Sequence, residues 1–292
     1  MKLVQYGLKH GNVRGIGAVV DDTTVVDLMV PINNPSLLCW MCAFLAMGEE
    51  GMRHAERVLA NPPAEAKLPL GQVTLLAPLR APNKILCIGQ NYRDHCEEQN
   101  QPIPDRAILF SKYSTAINDP GGVIRLPKAS EQVDYECELA VVIGGPGGGG
   151  YEIPEAEAMN HVAGYLCAND VSARDIQFAD KQWVRGKSPD TFFPIGPYLV
   201  TADEIDDPHN LDISLTLNGQ TMQKSNTLNL IFRIPYLISY LSQTMTLLPG
   251  DIISTGTPGG VGVFRKPPVF LKPGDTVSVT IAGLGTLTNT VA

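Results

Sequence analysis

The chain has few of the features that mark membrane-spanning, secreted or nucleic-acid-binding proteins. Its longest apolar run, LLCWMCAFLAM at 37–47, is too short to cross a bilayer. Its first residues form neither the apolar core of a signal peptide nor an Arg-rich import helix. No basic block occurs, and the formal net charge of −8 argues against a nucleic-acid partner. We therefore expect a soluble protein with no membrane partner, cytoplasmic, or mitochondrial if it comes from an animal with a longer precursor.

The six cysteines provide no complete zinc site. Cys39 and Cys42 form one C-x-x-C pair, but no second pair or neighbouring His pair accompanies it. The surrounding stretch is hydrophobic on nearly every side. We therefore predict two buried core thiols in preference to a redox pair.

Strand patterns outnumber helical patterns along the chain. The segments 84–89 and 137–144 are apolar enough to be buried strands, and Asn218-Gly219 is a strong hairpin turn signal. Most strands are linked by short turns, which favours antiparallel or mixed sheets with few helices. The sequence thus predicts a strand-rich α+β fold with a Pro-rich linker at 61–69 and a boundary near residue 78, which gives a small N-terminal domain (1–78) and a larger domain (79–292).

Three carboxylates stand at the ends of predicted strands. Glu136 and Glu138 are two residues apart, so on a strand they project to the same face, where two like charges need a cation or a proton. Asp170 ends the apolar segment VAGYLCAND. Together the three would form an oxygen-only site suited to Mg²⁺, Mn²⁺ or Ca²⁺. Taken singly, the glutamates fit an edge strand with one wet face, and Asp170 fits a helix cap.

His95 and Glu98 are three residues apart and become neighbours if their segment is helical. A carboxylate beside an imidazole orients the ring and raises its basicity, which suits a general base or acid. The alternative is a chance pair on a surface helix. Lys112, Lys187 and the loop STGTPGGVG are further unusual polar positions, each of which also fits an ordinary surface loop.

The glycine run that follows the predicted strand 137–144 formally satisfies a dinucleotide-binding pattern. Gly145, Gly147 and Gly150 give G-x-G-x-x-G, with Asp170 20 residues after the last of them. Four consecutive glycines are poor helix formers, however, and the preceding strand carries two glutamates. A surface turn is the preferred interpretation, and a nucleotide-dependent oxidoreductase is the alternative.

Five segments resemble, in the same order, signatures of the fumarylacetoacetate hydrolase family: GQNYRDH, YECELAVVIG, NDVSARDIQ, GKSPDTFFPIGP and STGTPGGVG. The resemblance covers roughly residues 80–292. It implies a mixed β-roll catalytic domain of the fumarylacetoacetate hydrolase type, preceded by a small N-terminal α/β domain, in a chain that usually forms a homodimer.

The resemblance also implies a role for each candidate residue. Glu136, Glu138 and Asp170 match the ligands of a Mg²⁺ or Mn²⁺ ion, with Ca²⁺ as an alternative. Lys187 matches a lysine that stabilises an enolate, and His95 with Glu98 matches a catalytic pair. The positions that match substrate contacts are Lys112, Arg174, Gln177 and Thr257.

The implied activity is metal-dependent chemistry on a small 2-oxo or 1,3-dicarbonyl acid. Hydrolysis of a C–C bond, in a substrate of the acylpyruvate or fumarylpyruvate type, would proceed through a metal-stabilised enolate. Oxaloacetate decarboxylation or keto–enol tautomerisation on the same site is the alternative, since both also pass through an enolate. A non-catalytic metal- or ligand-binding protein that kept the fold is the alternative outside enzymes.

Overall fold

The computed structural model describes residues 1–9, 14–30 and 40–292. Cys39 lies outside these ranges, so its predicted burial has no counterpart here. Cys42 is disulfide-bonded, and the prediction of a core thiol is wrong at this position. The apolar surroundings from which the thiol was predicted suit a disulfide equally well, so they could not distinguish the two.

Strands dominate the described residues, and the helices are short. The strands are β1 (Lys2–Leu8), β2 (Arg14–Val19), β3 (Thr24–Asp27), β4 (Lys67–Pro69), β5 (Val73–Leu76), β6 (Ile85–Gly89), β7 (Ile108–Ser111), β8 (Ile117–Asn118), β9 (Val123–Ile124), β10 (Val133–Asp134), β11 (Cys137–Ile143), β12 (Val162–Asn169), β13 (Ser172–Ala173), β14 (Phe193–Thr201), β15 (Asp212–Leu217), β16 (Gln220–Asn226), β17 (Ile252–Ser254), β18 (Thr276–Ile281) and β19 (Gly285–Val291). The α-helices are α1 (Trp40–Ala46), α2 (Glu49–Ala60), α3 (Arg93–Glu98), α4 (Arg174–Ala179), α5 (Val184–Lys187) and α6 (Ile234–Ser242). Among the described residues, none of these helices has the length and apolar character needed to cross a membrane.

The described strands form one large mixed sheet, one five-stranded sheet and a two-stranded sheet of β10 and β13. The large sheet runs in the order β4-β3-β2-β1-β14-β12-β11-β17-β6-β7, and the five-stranded one in the order β16-β15-β18-β19-β9. Most neighbours are antiparallel, but β17 pairs with β6 in parallel. The hairpin predicted at Asn218-Gly219 joins β15 to β16, and both turn residues have positive φ, 53° and 80°. The expected strand-rich α+β fold with mixed sheets is therefore confirmed.

Strand β11 lies in the middle of the large sheet, between β12 and β17. All seven of its residues are buried, because both faces of the strand are covered. The interpretation of Glu138 as one residue of a wet edge strand is therefore wrong. A carboxylate at such a position is removed from water and needs partners within the protein.

The N-terminal strands continue the same large sheet, since β1 pairs with β14 in the register Lys2↔Val200. The division into domains at 1–78 and 79–292 stays a prediction. The glycine run forms a tight turn, in which Gly144 bridges to Gly148, and the helix that follows, Glu155–His161, is a 3-10 helix. A Cβ at Gly145 would lie 2.7 Å from the carbonyl oxygens of Asn160 and Val162, so the turn is packed closely against its own chain. This agrees with the turn interpretation rather than with a dinucleotide-binding loop.

Candidate active site

Three buried carboxylates converge where β11 begins and β12 ends. Cys137 pairs with Asn169 in the sheet, so Glu136 and Asp170 lie side by side just beyond the pairing, and the Asp170 amide donates to the Glu136 carbonyl oxygen at 2.9 Å. Glu138 is one residue inside β11. Each of the three offers an oxygen, and these oxygens lie within 4.8 Å of one another. The antiparallel register thus assembles the acidic cluster expected from the sequence.

Two lysines hold Asp170 and Glu136 in place. The Lys187 Nζ, at the end of α5, is 2.7 Å from Glu136 Oε2 and 2.7 Å from Asp170 Oδ2. The Lys112 Nζ is 2.5 Å from Asp170 Oδ1 and donates to the Val171 carbonyl oxygen at 3.0 Å. Burial lowers the pKa of Lys187, but the two carboxylates outweigh this and raise it overall, so Lys187 is a cation in the site.

Arg174, at the start of α4, forms a second set of ion pairs. Its NH2 is 2.7 Å from Glu136 Oε1, its Nε donates to Asp134 Oδ2 at 2.9 Å, and its NH1 donates to Gln177 Oε1 at 3.0 Å. Asp134 is a site residue that the sequence prediction missed. Its signal was present, because residues 134, 136 and 138 are acidic at alternating positions.

Glu138 differs from its two neighbours in its partners. It accepts hydrogen bonds from the Ser254 hydroxyl and from the Gly256 amide, the latter at 3.1 Å. Among the described residues no ion pair includes Glu138. Burial, together with the charges of Asp170 and Glu136, raises the pKa of Glu138 well above its ordinary value.

The pKa of Glu136 changes in the opposite direction from that of Glu138, and this difference bears on whether the acidic cluster fits a cation. Burial raises the pKa of Glu136, but Lys187 and Arg174 outweigh burial and hold the pKa at about 2. Lysine and arginine therefore compensate one glutamate and leave the other uncompensated. Three buried carboxylates, one of them without a counter-charge, form the oxygen donor set that suits a hard divalent cation. The residues present fit such an ion.

The predicted His95–Glu98 pair lies on α3, with His95 Nδ1 3.3 Å from Glu98 Oε2. The Gly260 amide donates to the other oxygen, Glu98 Oε1, at 3.0 Å. The His95 side chain is only 8% exposed and Glu98 is 21% exposed, so the alternative of a chance pair on a wet surface is wrong. The imidazole is held by a carboxylate that is itself held by backbone.

His95 and two residues of the acidic cluster, Glu136 and Glu138, line one cavity of about 170 Å³, and Asp170 lies beside them outside the described lining. Its polar lining residues are Gln90, His95, Gln99, Glu136, Glu138, Arg174, Gln177, Lys187 and Thr257, and its apolar walls include Phe110, Phe178, Trp183 and Phe264. Of the four predicted substrate contacts, Arg174, Gln177 and Thr257 therefore reach the cavity. Lys112 is absent from the described lining and lies against Asp170 instead. The cavity combines two buried glutamates of the acidic cluster, a held imidazole and a small volume walled in part by aromatic rings.

Comparisons with known proteins show which family this chain resembles and which proteins are similar to it. The family described as fumarylacetoacetate (FAA) hydrolase C-terminal matches residues 84–292. A mitochondrial oxaloacetate tautomerase of Xenopus laevis is 47% identical over 294 residues, which cover 100% of this chain and 90% of the relative. Another, of Bos taurus, is 48% identical over 299 residues, covering 100% and 91%. A further animal relative, of Pongo abelii, is named fumarylacetoacetate hydrolase domain-containing protein 2.

One similar solved structure contains a divalent metal ion and a 2-oxo acid. The maleylpyruvate hydrolase of Sphingobium sp. SYK-6, in complex with manganese(II) and pyruvate, is 32% identical with a TM-score of 0.79, covering 100% of this chain and 99% of that one.

Proposed function

The chain belongs to the fumarylacetoacetate hydrolase family, and from this premise we propose that it is a divalent-metal-dependent oxaloacetate keto–enol tautomerase. The observation that carries the proposal is one small cavity lined by Glu136, Glu138 and His95, with Asp170 beside the two glutamates and Glu98 paired with the imidazole. Relatives named oxaloacetate tautomerases, which match along the whole chain, support tautomerisation over the C–C hydrolysis expected first.

Tautomerisation requires one group that can take a proton from carbon and return it to oxygen. In the proposed arrangement Glu98 accepts from Nδ1–H of His95, which leaves Nε2 unprotonated and able to take the C3 proton of the keto acid. The same nitrogen can then deliver that proton to the C2 oxygen, giving the enol. The pair acts in either direction, as a tautomerase must.

The negative charge that develops on the C2 oxygen needs stabilisation. Glu136, Glu138 and Asp170 would hold Mg²⁺ or Mn²⁺, and such an ion, when bound, supplies Lewis-acid polarisation of the keto group. Lys187 has three N–H donors, of which two are directed to Glu136 and Asp170, so one remains for the oxygen. Its positive charge also favours binding of a dicarboxylate.

Hydrolysis is the second candidate, because the same imidazole could activate water and because a similar structure is that of a maleylpyruvate hydrolase. The cavity, about 170 Å³, is small beside the roughly 300–1,000 Å³ of ordinary ligand pockets and suits a four-carbon acid. A mitochondrial location, taken from the animal relatives, is proposed only for a chain of animal origin.

The proposal is tested by three assays on one preparation, with and without Mg²⁺ or Mn²⁺. Disappearance of the ultraviolet absorbance of enol-oxaloacetate measures tautomerisation, pyruvate release measures decarboxylation, and loss of acylpyruvate absorbance measures hydrolysis. We expect metal-dependent acceleration of the first. Acylpyruvate cleavage without faster enol conversion would replace the proposal with the hydrolase.

A further inference from the structure

One loop, residues 254–263 at and after the end of β17, contacts carboxylates from separate parts of the site. The Ser254 hydroxyl and Gly256 amide donate to Glu138. The Gly260 amide donates to Glu98 at 3.0 Å. Further along, two more amides of the loop donate to Asp134. The loop therefore contacts both the acidic cluster, through Glu138, and Glu98, which pairs with His95.

Asp134 is the most completely engaged of these carboxylates. Its Oδ1 accepts from the amides of Gly262 at 2.7 Å and Tyr135 at 2.8 Å. Its Oδ2 accepts from the Val263 amide at 3.0 Å and from Arg174 Nε at 2.9 Å. The side chain is fully buried. Asp134 thus fixes the loop on one side and the guanidinium of Arg174 on the other.

The glycines of the loop allow only a narrow set of positions. A Cβ at Gly262 would lie 1.9 Å from the Val269 carbonyl oxygen and 2.6 Å from Asp134 Oδ1. A Cβ at Gly260, where φ is +103°, would lie 2.3 Å from the Met222 carbonyl oxygen. The loop backbone thus lies close against the Met222 and Val269 carbonyl groups at both ends of the stretch between Glu98 and Asp134, and this stretch is the covalent route by which a shift at Asp134 would reach Glu98.

We infer that Asp134 is a positioning residue that couples the two halves of the site. Through Arg174 it holds Glu136 in the cation-binding cluster, and through the loop 254–263 it holds Glu98 against His95. The second half of this inference rests on the proposed function, since it is there that His95 transfers the proton. The first half concerns metal binding alone.

The test is Asp134→Asn, which keeps the shape of the side chain but puts one NH₂ where an oxygen now accepts. Whichever oxygen is replaced, a backbone amide of the loop then faces a donor. We expect Mg²⁺ and Mn²⁺ affinity to fall about 10–100-fold, the usual effect of losing a partner that orients a metal ligand. At saturating metal kcat should fall as well, with KM changed less, because Glu98 is no longer held.

The matched control is Asp119→Asn. Asp119 also accepts from a backbone amide, that of Ala77 at 2.8 Å, and from an arginine, Arg80 at 3.4 Å, but Arg80 does not line the cavity, whereas Arg174 does. This variant should keep metal affinity and kcat. Equal losses in the two variants would show a general effect on stability and would overturn the inference.

Hydrogen exchange gives a readout that does not depend on activity, and its wild-type arm does not depend on a variant that folds. In the wild type, Mg²⁺ should slow exchange of the Gly260, Gly262 and Val263 amides, and Asp134→Asn should abolish that protection. Tight metal binding that leaves these amides unchanged would refute the coupling. If the wild type binds metal and shows the protection but does not act on oxaloacetate, the proposed function fails and the coupling stands.

Discussion

Replacing Glu138 by glutamine should separate metal binding from folding. Glu138 is buried beside Glu136 and Asp170, and its partners are the neutral donors of Ser254 and Gly256. Glutamine keeps one oxygen for the Gly256 amide and removes the charge. The metal-free variant should therefore be at least as stable as the wild type at neutral pH, while its affinity for Mg²⁺ or Mn²⁺ collapses.

The size of the stability change follows from two opposing terms. Burial and the neighbouring charges make the Glu138 carboxyl bind its proton more tightly in the folded protein, and each tenfold increase in that proton affinity costs about 1.4 kcal/mol of stability once the carboxyl is ionised. Glutamine avoids this cost. In the opposite direction, the variant weakens a hydrogen bond worth about 1 kcal/mol. We expect the free energy of unfolding to rise by about 0–2 kcal/mol, and the melting temperature by roughly 2–4 °C for each kcal/mol.

The pH dependence gives the sign of the effect. A carboxyl whose pKa is raised in the folded protein binds a proton more tightly there than in the unfolded chain, so the metal-free wild type loses stability as pH rises from 4.5 through the raised pKa of Glu138. Glu138→Gln lacks this loss, and its advantage should disappear as pH falls toward 4.5. Chemical unfolding of EDTA-treated protein at neutral and acidic pH measures both, and calorimetry measures the metal affinity. Unchanged metal affinity, or a variant several kcal/mol less stable at neutral pH, would refute the reasoning.

Three further predictions concern catalysis, charge and assembly. His95→Ala should slow enol conversion by roughly a hundredfold or more without changing metal affinity, and Glu98→Gln should cost less because it keeps a hydrogen bond; a wild-type rate in His95→Ala would remove the pair from the mechanism. Lys187→Met should be inactive and should destabilise the metal-free protein by about 3–5 kcal/mol, because two buried carboxylates lose a partner; an unchanged melting temperature would contradict this. Light scattering should give about twice the 31.5 kDa chain mass if the expected homodimer forms, and a monomer at micromolar concentration would exclude it.

The parts of the site that could be predicted are those set by local geometry. The alternation of side chains near a strand places Glu136 and Glu138 together, and helical spacing places His95 beside Glu98. Both needed only residues close in the chain. The apolar segment that ends at Asp170 also indicated a strand end, although only the register of β11 with β12 brings that residue beside Glu136.

What could not be predicted depends on contacts between distant segments. Asp134 and Arg174 are in contact although they are 40 residues apart in the chain, and Ser254 donates to Glu138 across a separation of 116 residues. Lys112 was expected to contact substrate, but its Nζ lies against Asp170 instead. The motif indicated that Lys112 is close to the site, but it did not indicate which group the side chain contacts. The three-dimensional contacts therefore show which charges are compensated: among the described residues, Lys or Arg pairs with Glu136 and Asp170, whereas Glu138 has no cationic partner.

The balance between tautomerisation and hydrolysis comes down to whether water has a place in the cavity. A hydrolase must admit one water beside the substrate, whereas a tautomerase needs only a group that takes and returns a proton. A cavity of about 170 Å³ is small, so a four-carbon dicarboxylate displaces most of the water that it holds. The enclosure that limits hydrolysis also strengthens the charges that stabilise an enolate, which is why tautomerisation is the chemistry we favour.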